Sequence, residues 1–213
     1  MTSLRTIVIG DVHGCLAELE ELLATVQHTS SDRLIFVGDL INKGPDSLGV
    51  LRKVRSLGAE VILGNHELSF LQRFDKGTEH PLFGKMGGEL QDWVDWIRSW
   101  PLFIDDPSFL VVHGGIIPET PIAEIPAKVI TKIRTWDGVG NDLQNSNNPP
   151  WYEFYAADKL IVFGHWAVRG LVVRDNVIGL DSGCCYGRQL SAVILPDREI
   201  VQVQAQSSYV DVS

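Results

Sequence analysis

The stretch IVIGDVHG, residues 7–14, poses the question on which the fold turns. A β-branched apolar run stops on Gly, Asp, Val, His and Gly. Alone, such an ending reads as a polar turn. The alternative is that Asp11 and His13 leave the end of a buried strand together and face one metal ion.

The rest of the chain repeats the pattern. Asp39 follows an apolar run in FVGDLINKG. Asn65 and His66 follow one in VILGNHE, His113 in FLVVHGG, and His165 in LIVFGHW. An apolar run, then a carboxylate, amide or imidazole beside glycine, recurs too often for a set of unrelated turns. Strand ends gather along one edge of a sheet, where ligands bind in α/β proteins. Glycine there lets the backbone turn sharply and approach closely. His13, His66, His113 and His165 account for four of the six histidines. His28 and His80 fall outside the pattern and are expected on the surface. Oxygen and nitrogen donors without thiolate suit Mn, Fe or Zn better than Cu(I) or an iron–sulfur cluster.

Around these strand ends the chain alternates before it becomes strand-rich. Strands are expected at 4–10, 33–38, 59–63 and 109–115, then at 160–163, 171–174, 177–180, 190–195 and 199–203. Helical spacing marks 16–26, 45–57, 65–74, 89–100 and 121–134, although Pro126 interrupts the last. This order predicts an α/β protein, a four-layer αββα sandwich of two mixed sheets flanked by helices, with the metal site at the C-terminal ends of strands. Residues 137–150, DGVGNDLQNSNNPP, form the one long loop. No linker or repeat appears, so residues 1–213 are expected to form a single domain.

Bulk properties restrict the function. With 213 residues, 45% of them hydrophobic and 21% charged, the chain can bury a substantial core. No run approaches the length of a transmembrane helix, and the N-terminus reads as a strand and not as a signal peptide. A net charge of −9 argues against generic nucleic-acid binding. It leaves room for an anionic substrate, because two divalent ions would add about +4 to the pocket. Cys15, Cys184 and Cys185 are an odd set with two adjacent, a poor disulfide framework that fits a reducing cytosol. A cytoplasmic protein is expected, of undetermined oligomeric state.

GDVHG, GDLINKGPDS, LGNHE, VVHGG, FGHW and LDSGCCYG, in this order from residue 9 to about 187, resemble the calcineurin-like metallophosphoesterases. Within them the chain is similar to the bacterial symmetrical diadenosine tetraphosphatases and ApaH-like phosphatases. The lysine in GDLINKGPDS points to that branch, since the protein serine/threonine phosphatases carry Asp-Arg-Gly there.

The resemblance implies two divalent metal ions, Mn first, with Fe, Zn, Co or Ni as alternatives. Asp11 and His13 would hold the first, Asn65, His113 and His165 the second, and Asp39 would bridge them. It implies attack on phosphorus by a hydroxide between the ions, with His66 as proton donor to the leaving group and Lys43 on a phosphate oxygen. Arg134 is a candidate second clamp, because phosphate recognition favours a guanidinium fork. Asn42 stands where the protein phosphatases carry an aspartate paired with the catalytic histidine. An amide cannot stabilise an imidazolium as a carboxylate does, which suits a leaving group that needs little protonation.

The leading expectation is therefore a phosphohydrolase of a small, nucleotide-like anion, cleaving phosphoanhydrides such as diadenosine tetraphosphate to two ADP. The alternatives are a serine/threonine-type protein or small-molecule phosphomonoesterase, hydrolysis of polyphosphate or an RNA cap, and a metal-stabilised binding module without turnover. The intact donor set argues against the last.

Several other residues read more quietly. Trp93, Trp96 and Trp100 lie at helical spacing and are expected in packing. Trp136 and Trp166 sit beside motif residues and are candidates for stacking on a base. Tyr186 is a candidate pocket residue. Glu67 is expected to cap the GNHE turn. Cys15 lacks the surroundings of a nucleophilic-cysteine phosphatase. Cys184 and Cys185 are read as small buried residues, with metal binding as the alternative.

Overall fold

A computed structural model describes residues 5–140 and 142–210. Leu4, expected to open the first strand, the N-terminal residues before it, and Asn141 of the long loop lie outside the described residues. Among the described residues ten strands and six α-helices follow one another: β1 (Thr6–Ile9), α1 (Leu16–Thr25), β2 (Arg33–Phe36), α2 (Ser47–Ser56), β3 (Glu60–Val61), α3 (Asn65–Asp75), α4 (Pro81–Met86), α5 (Leu90–Arg98), β4 (Phe103–Asp105), β5 (Phe109–Val112), α6 (Ala127–Ile130), β6 (Leu160–Phe163), β7 (Val172–Val173), β8 (Val177–Gly179), β9 (Gln189–Leu195) and β10 (Glu199–Gln204).

The strands form two mixed five-stranded sheets, ordered β10-β9-β1-β2-β3 and β4-β5-β6-β8-β7. β1 pairs parallel with β2 and antiparallel with β9. β5, β6 and β8 run parallel to one another. Each parallel set therefore ends along one edge of its sheet.

Period-two alternation divides the core. Val8 faces the second sheet and packs with Ile35, Val111, Val162, Ile178 and Val193. Ile7 and Ile9 face the other way, onto Leu19 and Leu22 of α1, Val54 of α2 and Phe70 of α3. Strands covered on both faces need apolar residues at successive positions, which is why Ile7–Ile9 of β1 and LIVF of β6 are continuous apolar runs. The outer face of the second sheet packs Leu110, Val112, Ile161 and Phe163 against Trp151 and Tyr152. The two sheets flanked by helices agree with the sandwich expected from the sequence.

Several boundaries differ from the sequence reading. The expected helix 121–134 is reduced to α6, with a 3-10 turn at Ile122–Glu124 before it. Pro126 lacks the N–H that would continue a helix across it. α2 begins at Ser47 and not Pro45, because Asp46 caps it by accepting from Gly49 N at 2.8 Å. His80 is buried and not on the surface: its Nδ1 accepts from Leu82 N at 3.2 Å and so caps α4, which the sequence had not shown. His28 is half-buried. Strands expected to run to residues 10, 38 and 115 stop earlier, because the chain bends there into the site loops. Among the described residues no helix is long and apolar enough to cross a membrane.

Candidate active site

The C-terminal ends of the two parallel sets meet along one edge of the sandwich. Asp11 and His13 leave β1, Asp39 leaves β2, and Asn65 and His66 open α3 after β3. His113 leaves β5 and His165 leaves β6. All of these expected site residues converge.

Asp39 is the shared member of two groups whose donor atoms lie within 4.8 Å of one another, one with His13 and His66, the other with His113 and His165. Its Oδ2 is 3.3 Å from His113 Nε2, 3.6 Å from His13 Nε2 and 3.9 Å from His66 Nε2. Asn65 Oδ1 lies 3.1 Å from His113 Nε2 and 2.7 Å from His165 Nδ1. Asp11 sits beneath, and its carboxylate accepts from His165 N at 3.1 Å.

The backbone is held in costly conformations to achieve this. His13, Asp39, Asn42, Lys43 and His165 have φ of 48°, 51°, 71°, 66° and 69°. Non-glycine residues occupy the left-handed region only when their surroundings impose it, and such residues gather at functional sites. Glu67 supplies part of the constraint. Its Oε2 accepts from Asp39 N at 2.8 Å and Gly64 N at 3.1 Å, and its Oε1 accepts from Leu40 N at 2.9 Å. The expected cap thus also fixes the neighbouring loop. Glycine is required at 64 and 164 for a different reason: a Cβ there would collide with Asp39 Oδ1 or Asp11 Oδ1.

The donor chemistry fits bound divalent ions. His13 Nδ1 donates to Ile41 O at 3.0 Å and His113 Nδ1 to Val37 O at 2.7 Å, which turns both Nε2 atoms toward Asp39. Metal-binding histidines use their second ring nitrogen in this way. His165 Nε2 is buried and unpartnered among the described residues. Asp11, Asp39, Glu67 and Asp181 are all buried around this floor, an excess of negative charge that calls for cations. Burial, reinforced by Asp181, pushes the Asp11 carboxyl well up. Burial and Asp39 hold Glu67 at about 7, and burial holds Asp181 at about 6. Burial opposes charge on His113, but the Asp39 and Asp11 carboxylates outweigh it and raise the ring to about 10. Burial, with Lys43 and His66 beside it, lowers His13 to about 3.

Above this floor opens a cavity of about 240 Å³. Lys43, His66 and Arg134, expected to act on substrate, all line it. Lys43 Nζ lies 3.0 Å from His13 Nε2 and over the ring of Tyr186, 5.0 Å from its centroid. Arg134 Nε is buried without a partner among the described residues. Asn42 Nδ2 donates to His66 Nδ1 at 2.9 Å. Burial lowers the His66 pKa.

Asp181 and Arg188 also line the cavity and were not singled out from the sequence. Asp181 ends the run VIGLD after β8, so it follows the same strand-end pattern as Asp39. Arg188 had no comparable signal; Ala167 O accepts from it at 3.1 Å, which brings it to the rim. Neither candidate stacking tryptophan lines the cavity. Trp136 donates to Gly140 O and packs edge-on against Phe154, and Trp166 lies beneath the Arg169 guanidinium.

The chain is similar to known proteins over most of its length. The profile of the calcineurin-like phosphoesterases matches residues 4–200. A symmetrical bis(5'-nucleosyl)-tetraphosphatase of Janthinobacterium sp. (strain Marseille) is 30% identical, over 94% of this chain and 96% of that protein. A crystal structure of a protein named as a candidate diadenosine tetraphosphatase superposes with a TM-score of 0.86 at 35% identity, covering 96% of this chain and 95% of the other. The metallophosphoesterase of Sphaerobacter thermophilus shares the fold, with a TM-score of 0.54 at 19% identity, covering 97% and 89%.

Proposed function

Because the chain belongs to the calcineurin-like phosphoesterase family, and is thus a hydrolase of phosphate esters or anhydrides, we propose that it cleaves the phosphoanhydride bonds of dinucleoside polyphosphates. Asp11 and His13 would hold one divalent ion, Asn65, His113 and His165 another, and Asp39 both. Such ions, when bound, polarise phosphoryl oxygens and make a water nucleophilic near neutral pH.

The chain's own groups then bind and orient the substrate. Lys43 and Arg134, which both line the cavity, take non-bridging oxygens, and a preorganised charge of this kind acts most strongly on the transition state. Arg188 extends the cationic surface to the rim, in keeping with a substrate that carries several phosphates.

The contact between Asn42 and His66 carries the choice of substrate class. A donating amide at Nδ1 leaves the His66 proton on Nε2, in a ring whose protonated form no carboxylate at position 42 supports. Such a ring hydrogen-bonds a departing oxygen but is a poor acid. A phosphate-type leaving group, with a terminal pKa near ~6, departs without full protonation, whereas an alkoxide does not.

The test is product analysis with diadenosine tetraphosphate and a divalent metal, beside a phosphoserine peptide. The expected products are two ADP, with slow turnover of the peptide. Rapid peptide hydrolysis without cleavage of the tetraphosphate would establish a phosphomonoesterase instead.

A further inference from the structure

Behind the loop that carries Asp11 and His13 lies a second group of ligating atoms. Cys15 precedes α1, Glu18 is in its first turn, and Cys184 is in the turn after β8. Their donor atoms lie within 4.8 Å of one another. Cys15 and Glu18 are 0% exposed and Cys184 is 2% exposed. None of them lines the substrate cavity.

Core packing explains two buried cysteines, which behave as small hydrophobes. It does not explain the glutamate, since a leucine or methionine would fill that volume without desolvating a carboxylate. Glu18 is only half satisfied. Its Oε1 accepts from Gln206 N at 2.9 Å and from Tyr209 Oη at 2.7 Å. Its Oε2 is buried with no hydrogen-bond partner among the described residues. Removing a charge from water in this way is costly unless a counter-charge is supplied.

We propose that Cys15, Glu18 and Cys184 form a separate metal site for a single zinc-class ion. Two sulfurs exclude Mg, Ca and Mn as preferred occupants, and a carboxylate oxygen favours Zn over Cu(I). Zinc bonds of about 2.3 Å to sulfur and about 2.0–2.2 Å to oxygen bring tetrahedral donors to roughly 3.4–3.8 Å from one another, which only a small contraction of this group would reach. The two hydrogen bonds on Oε1 hold the carboxylate in place and leave Oε2 free to ligate, the kind of outer support that ligating carboxylates have. On binding, the ion enters, each ligating thiol loses its proton to solvent, and no electrons move. Three protein ligands are one fewer than a closed structural zinc site has, so the ion exchanges with added chelator. It ties α1 to the 181–187 turn behind the Asp11–His13 loop, and through Glu18 to residues 206–209.

Cobalt is the probe, on the full chain stripped of metal and reloaded. Sulfur ligation gives an intense near-ultraviolet charge-transfer band. The strand-end donors are all oxygen or nitrogen and give none, so the band reports this site whether the strand-end site takes two ions or fewer. The expected result is a sulfur-to-cobalt band in the fully loaded wild-type protein, with an intensity that corresponds to one sulfur-ligated cobalt per chain. Cys184→Ser should lose the band and one equivalent of bound zinc, with the remaining metal retained. The wild-type spectrum decides even where that variant fails to fold: reloaded protein without the band, its thiols still free to titrate, overturns the proposal.

Discussion

The two sheets contribute to the site in different ways. From the first come Asp11, His13, Asp39, Asn65 and His66, together with Asn42 and Lys43 on the loop after β2. These loops are tied to one another: His13 N donates to Asp39 O and Gly14 N to Leu40 O, both at 2.8 Å, while Glu67 holds the loop after β2 from α3. From the second come His113, His165 and Asp181, tied by bonds from Gly164 N to His113 O and from Leu180 N to Phe163 O, both at 2.8 Å. Its cavity-lining cation, Arg134, lies outside the strands altogether, on an irregular segment whose backbone donates to Leu143 O and accepts from Trp151 N. The first sheet therefore presents donors and substrate-facing groups on one interlocked frame. The second adds imidazoles from rigid strands and borrows its cation from a covering loop.

Asp39 joins the two halves, and altering it should have the largest effect. Asp39→Asn keeps the Oδ1 contact with His66 N, 2.9 Å in the wild type, so the local fold is expected to persist. It removes the charge shared by both donor groups. Bound strand-end metal and activity should then fall together to background. Elemental analysis that finds the full wild-type metal content in an equally active Asp39→Asn protein would break the picture of a bridge between the sheets.

Lys43 and Arg134 compare the halves directly. Removing one preorganised charge-stabilising donor typically costs about 10²–10³ in rate. Lys43→Ala and Arg134→Ala are each expected to fall in that range with metal content unchanged. Lys43 stands on the interlocked frame, so its loss should appear almost wholly in kcat. Arg134 stands on the covering segment, so its loss should raise KM as well. An Arg134→Ala enzyme with wild-type kinetics on every substrate would leave the second sheet without a catalytic cation.

The same division decided what the sequence made legible. An apolar run ending on a ligand beside glycine is a local signal, and it located Asp11, His13, Asp39, Asn65, His113 and His165 together. Asp181 also ends an apolar run, but Leu180 and Ser182 flank it instead of glycine, so the local signal is weaker there. Helices over the first sheet showed their spacing because each buries one stripe on a flat face, as Leu48, Leu51 and Val54 do. The second sheet is covered by short turns and by Trp151, whose contacts have no period, so the helix expected at 121–134 runs across Pro126 and beyond Ile130, where α6 ends. The burial of His80 does not show in the sequence, because a histidine that caps a helix through its ring carries no local mark. Glu18 meets Cys184 across 166 positions, and only the fold brings them together.

The smallest expected effect is confined to one residue of the first frame. Asn42 is in the left-handed region at φ 71°, which aspartate also tolerates, so Asn42→Asp should fold without added strain. The change reverses the contact with His66: a carboxylate accepts from Nδ1–H where the amide donated. A carboxylate at hydrogen-bond distance raises an imidazole pKa by about 1–3 units, and above that pKa each unit makes the charged acid about tenfold more abundant. Hydrolysis of an alkyl phosphate, whose leaving alkoxide needs the proton, should therefore rise about tenfold or more. Diadenosine tetraphosphate hydrolysis should hardly change. His66→Ala supplies the control, since the gain on the alkyl ester should vanish when both changes are combined. If Asn42→Asp instead moves both substrates equally, or the gain survives without His66, then residue 42 does not act through the histidine, and the leaving-group argument for an anhydride substrate fails with it.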